Sequence, residues 1–99
     1  RKRFLLEKIE FGELWVEKEI KRQNFPEALL MFHHFFVESI VELARIKYSP
    51  LKISFGLKHM SRDLPADWVS TLESFYKVQD LKEMKTKVKE IKDLAQKLK

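Results

Sequence analysis

Apolar residues in the first twenty positions recur at intervals of three and four. Leu5, Ile9, Gly12, Val16 and Ile20 fall on one side of a helix, with Leu6 and Trp15 beside them. Glu7, Lys8, Glu10, Glu13, Glu17, Lys18 and Lys21 fill the other faces. This spacing predicts a first helix over 3–23. Glycine weakens a helix interior, so Gly12 points to the close approach of a neighbour. Asn24-Phe25-Pro26-Glu27 then breaks and restarts the chain, because proline disfavours helix at the residue before it and suits a first helical turn. A second helix runs to about Lys47. It is apolar almost all round, through Ala28, Leu29, Leu30, Phe32, Phe35, Phe36, Val37, Ile40, Val41, Leu43, Ala44 and Ile46, which predicts a place in the middle of a bundle.

Ser49-Pro50 has the form of an N-cap with proline at the first helical position. Leu51, Ile53, Phe55, Leu57 and Met60 follow. The alternation of the first four mimics a strand, but a lone strand would have no partner, so a short helix is expected. Asp63-Leu64-Pro65 restarts the chain, and Trp68, Val69, Leu72, Phe75 and Tyr76 make a one-sided stripe. Asp80 and Glu83 form a D-x-x-E start, a variant of the capping box. Leu81, Met84, Val88, Ile91, Ala95 and Leu98 then step by three and four, a heptad seam. It covers less than three heptads and is expected to pack on its own bundle. The fold expected for residues 1–99 is one all-α domain: an antiparallel up-and-down bundle of four main helices plus one short one.

At 99 residues the chain can bury roughly two thirds of its unfolded surface, enough for one core. It has no cysteine, which excludes disulfides and thiolate metal sites. No apolar run approaches the roughly 18 residues needed to span a bilayer. Arg1-Lys2-Arg3 is basic, but Glu7, Lys8 and Glu10 interrupt any signal-peptide core. The expected setting is therefore cytoplasmic, with no membrane partner. The first residue is Arg, so the chain is read as the C-terminal part of a longer protein. Lys and Glu dominate, a composition that leans toward a thermophile. The net charge is +5, and residues 77–99 carry most of it, with eight lysines against Asp80, Glu83, Glu90 and Asp93. That basic helix either attracts an anionic partner or is a solvated face; nucleic acid is the less expected partner.

Candidate chemistry is sparse. His33 and His34 are adjacent, and His34 with Glu38 makes an i, i+4 pair. Two ligands fall short of the three that a metal site needs, so no metal site is expected. Glu38 and Glu42 lie four apart on the second helix. They either line a polar cleft, where a carboxylate can act as general base, or form a narrow solvent stripe. Tyr48-Ser49-Pro50-Leu51-Lys52 ends that helix, and Lys47, Lys52, Lys58, His59 and Arg62 cluster near it in sequence and could hold phosphate as point charges. Phosphate-loop, dinucleotide-loop, zinc-protease and serine-hydrolase motifs are absent.

The run FPEALLMFHHFFVESIVELARIKYSPLKISFGLKHMSRDLP, with Trp15-Val16-Glu17-Lys18-Glu19 before it, carries a resemblance. The Phe-rich central helix, Tyr48-x-Pro50-x-Lys52 and the later Leu64-Pro65 resemble the C-terminal helical domain of nucleotidyltransferases in the kanamycin nucleotidyltransferase group, within the polymerase-beta-like superfamily. The likeness covers residues 10–76. It implies a bundle that binds the acceptor substrate. It also implies a partner catalytic domain, on the same chain or a separate subunit, whose Gly-Ser motif and paired aspartates bind magnesium and a nucleoside triphosphate. None of those motifs is in this chain. The resemblance would make Glu38 or Glu42 the general base and put Tyr48, Lys52 and His34 among the substrate-binding residues. Two other readings stay open: an interaction module that homodimerises through its Phe-rich or last helix, and a nucleic-acid-binding bundle using the lysine face.

Overall fold

The computed structural model describes residues 2–51 and 60–98. The regular elements among them are all helical. α1 spans Lys2–Lys21, α2 Phe25–Met31, α3 Glu38–Tyr48, α4 Met60–Asp63, α5 Ala66–Ser74 and α6 Leu81–Lys97. A π-helical segment, Phe32–Val37, joins α2 and α3 into one long rod. A 3₁₀ turn, Phe75–Lys77, closes α5. The chain is thus an all-α bundle of four main helical units with short accessory turns. No described helix is long and apolar enough to cross a membrane. Most of the short helix expected after Ser49 lies outside the described residues, as do Lys52, Lys58 and His59.

A left-handed cap turns the chain from α1 into the rod. Gln23 has φ 57°; its N–H donates to Ile20 O at 3.0 Å and the Asn24 N–H to Glu19 O at 3.1 Å. These are the paired bonds of a Schellman motif, usually built on glycine. A side chain at that φ costs roughly 1 kcal/mol. Glu19 supports the turn with its carboxylate: though buried, it accepts from Arg22 Nη1 at 3.2 Å and Asn24 Nδ2 at 3.3 Å. Pro26 follows in the first turn of α2. The tight reversal lays α1 antiparallel to the rod along its length.

The core side of α1 is the expected one: Leu5, Ile9, Gly12, Val16 and Ile20 are all buried. They meet Ala28, Phe32, Phe36, Val37, Ile40 and Ala44 of the rod. At Gly12 the missing side chain admits Phe35 of the rod. A methyl group built there would overlap Phe35 Cβ and stand 2.6 Å from its Cγ. α6 covers the other side of this pair with Met84, Val88, Ile91, Ala95 and Leu98, all buried. Its cap is the expected one: Asp80 Oδ1 accepts from the Glu83 N–H at 2.8 Å, and Glu83 Oε2 accepts from the Gln79 N–H at 2.7 Å. Lys92 Nζ to Glu13 Oε2, 2.6 Å, ties α6 to α1 at the surface.

Arg45 is the largest fully buried side chain in the core. Its Nη1 donates to Asp63 Oδ2 at 3.0 Å and to Ser49 Oγ at 3.3 Å. Ser49 therefore serves as acceptor to Arg45. The pair fastens the end of α3 to α4, and the Trp68 indole N–H, 3.0 Å from Tyr48 Oη, fastens it to α5. The rod is not enclosed all round: Leu30 is 64% exposed, and His34 and Glu38 face solvent. α1 and α6 pack on its other sides and leave this strip open.

Two substitutions test the packing. Glycine to alanine inside a helix normally gains about 1 kcal/mol, but overpacking against a fixed backbone costs about 1–3 kcal/mol. Gly12→Ala is expected to destabilise on balance, read as a lower urea midpoint; a higher midpoint would disprove the contact. Asp63→Ala strands a buried guanidinium and is expected to cost about 3–5 kcal/mol, whereas Arg45→Met with Asp63→Leu should recover much of that loss in the same titration.

Candidate functional site

The open strip of the rod coincides with its π-helical segment. There the Glu38 N–H reaches back five residues to the His33 carbonyl. Such wide turns are rare and often lie at functional sites. Both histidines line one groove of about 390 Å³, with Glu27, Leu30, Met31, Phe35 and Glu38 as further lining.

Each polar group in the groove has a definite setting. His34 Nδ1 lies 3.7 Å from Glu38 Oε2, with both side chains more than half exposed. The His34 ring stands edge-on to Phe35, centroids 4.9 Å apart. His33 is half-buried, edge-on to Phe32 at 5.7 Å and tilted over Tyr76 at 5.1 Å. Burial pulls the His33 pKa below its ordinary 6.5, and the Glu38 carboxylate pulls back against that shift. Burial, then the same carboxylate, pushes the Tyr76 phenol above its ordinary 10.0. Glu38 is thus the charge that three other side chains feel. Ser39, its neighbour, turns into the core, where its hydroxyl is buried.

The expected site residues divide into two places. His34 and Glu38 sit at the groove, and Glu42 lies one turn further along, half-buried. Tyr48 is fourteen residues beyond His34, roughly 20 Å along the rod at 1.5 Å per residue. It lines a separate hollow of about 390 Å³ with Ser49, Pro50, Leu51, Arg62 and Asp63, and the Lys47 ammonium stands 5.2 Å over its ring. Lys52 lies outside the described residues. His33, singled out in the sequence beside His34, shares the groove, and Tyr76 stands against His33: its sequence reads as part of an apolar stripe, and only the packing of the 3₁₀ turn brings it there.

The groove offers two carboxylates, Glu27 and Glu38, a half-buried imidazole beside an exposed one and an apolar wall, with the Tyr76 phenol against His33. That set can accept a proton and pass it on, and it can bind a ligand with both polar and apolar parts. Among the described residues no group of three or more His, Cys, Asp or Glu side chains could hold a metal ion. The magnesium implied by the resemblance therefore has no fit on the described residues. Comparison with known proteins finds no matching family model, no matching curated protein and no matching solved structure.

The His33 shift sets a pH dependence. Its folded pKa lies below its unfolded one, so the unfolded chain binds more protons between those values and stability rises with pH there. The contribution is complete above about pH 6.5 and is lost as pH falls through the folded value. NMR titration is expected to give His33 a midpoint under 6.5. Glu38→Gln should lower both that midpoint and that of Tyr76. A His33 midpoint unmoved by the substitution would refute the coupling.

Proposed function

We propose that this chain is the acceptor-binding helical part of a nucleotidyl-transferring system, with Glu38 as general base. A separate magnesium-dependent domain, in the same chain or on another, would hold the nucleoside triphosphate. The observation that carries this reading is the open groove at the π-helical turn, which gathers Glu38, His33 and His34 on the central rod, with Tyr76 of the 3₁₀ turn against His33. The resemblance assigns the base to that same helix. In such a transfer the acceptor hydroxyl or amine attacks the α-phosphorus, the bond to the β-phosphate bridging oxygen breaks, and pyrophosphate leaves. The proton lost by the acceptor passes to Glu38. Glu38 is exposed enough to meet a substrate, and His34 at 3.7 Å is placed to relay the proton to water. Glu42, half-buried and one turn away, is the second candidate base. Tyr48, in its separate hollow, would serve only an acceptor long enough to reach it.

In the enzyme that contains both parts, Glu38→Gln is expected to lower turnover about 10²-fold or more, the usual worth of a positioned base. The thermal melt should stay unchanged, because the side chain is largely exposed. Nucleotidyl transfer measured with labelled triphosphate decides the matter: full turnover in both Glu38→Gln and Glu42→Gln would reject the site.

A further inference from the structure

The outer side of α1 is apolar where solvent would favour polar residues. Phe11 is 56% exposed, Leu14 69% and Trp15 39%. They lie away from Leu5, Ile9 and Val16, which face the core. With roughly 200 Å² for each fully open side chain, the three present roughly 300 Å² to solvent, in the range of the largest and often functional patches on a monomer. The patch is held in place. The Phe11 ring stands 6.1 Å from Trp15 and 6.1 Å from Phe35, which is wedged against Gly12.

The charges around this patch say what fits it. Glu7 and Lys18 are eleven positions apart, about three turns, so they share its face. Their midpoint falls between Phe11 and Leu14, at the patch centre. A two-fold axis through that point sets Glu7 of each copy near Lys18 of the other and Phe11 against Leu14. A parallel pairing would set like charges together. Neither charge is strongly engaged: Glu7 meets Arg3 at 3.5 Å with both side chains largely exposed, and Lys18 stands 5.3 Å over the Trp15 ring. Exposed contacts of this kind are cheap to exchange.

We propose that α1 pairs antiparallel with α1 of a second copy, forming a two-fold homodimer with Phe11, Leu14 and Trp15 at its centre and two Glu7–Lys18 pairs at its ends. This does not rest on the nucleotidyl-transfer reading. A standard interface buries about 800 Å² per partner. The patch with its polar rim on α1 falls at the low end of that scale, so the dimer is weak and depends on concentration.

Light scattering across a concentration series is expected to show the mass rising from 11.9 kDa toward twice that value. Leu14→Glu should hold the protein monomeric. Glu7→Lys and Lys18→Glu should each weaken association roughly tenfold, and the double charge swap should restore it. A monomer at every concentration, a dimer that survives Leu14→Glu, or a double swap that fails to restore association would each overturn the proposal. So would α1 protection from hydrogen exchange that appears only when a catalytic domain is added, because that domain would then be the occupant.

Discussion

The contact of Gly12 with Phe35 sets the geometry of the whole bundle. Two helices ordinarily stay 8–10 Å apart because side chains stand between them. Here one side chain is missing, and a phenylalanine fills the space. That close approach brings α1 against the π-helical turn, and through it two surfaces are organised. The Phe35 ring meets both Phe11 and His34 edge-on. The aromatic patch of α1 and the polar groove of the rod are therefore built on the same seated residue. A change at Gly12 would be felt in both.

Three buried or half-buried charges hold what the apolar core does not. Glu19 closes the α1–α2 turn and supports a left-handed Gln23 that glycine would adopt at less cost. Arg45 and Asp63 join the end of the rod to α4 across eighteen residues of sequence. Burying ions is expensive, and such a pair adds little net stability compared with an apolar isostere. Its effect is on specificity: an unpaired guanidinium in the core would be costly, so alternative placements of α4 are penalised. The Trp68–Tyr48 bond adds a second tie at the same end.

The groove occupies the side of the rod that α1 and α6 do not cover. Its chemistry follows from partial burial. His33 and Tyr76 are covered enough to favour their neutral forms, while Glu38 keeps contact with water and tunes both. A solvent-exposed carboxylate beside an imidazole and a phenol held toward their neutral forms suits proton transfer.

Much of the fold was legible in the sequence, because helical periodicity is a local property. The core faces of α1 and α6 read directly from spacing, as did the α6 cap and the close approach at Gly12. His34 with Glu38 was legible as an i, i+4 pair for the same reason. Other features had no local signal. The π-helical turn at His33 and His34 is a register change that period counting averages away. Tyr76, Arg45 and Asp63 gained their roles from partners 18 or more residues distant, which no window along the chain contains. The near-continuous apolar character of the second helix set it in the middle of the bundle but left open whether Glu38 and Glu42 line a cleft or a solvent stripe. Tertiary structure decided which side is bare: among the described residues α1 and α6 pack on the other sides of the rod, and Leu30, His34 and Glu38 face solvent.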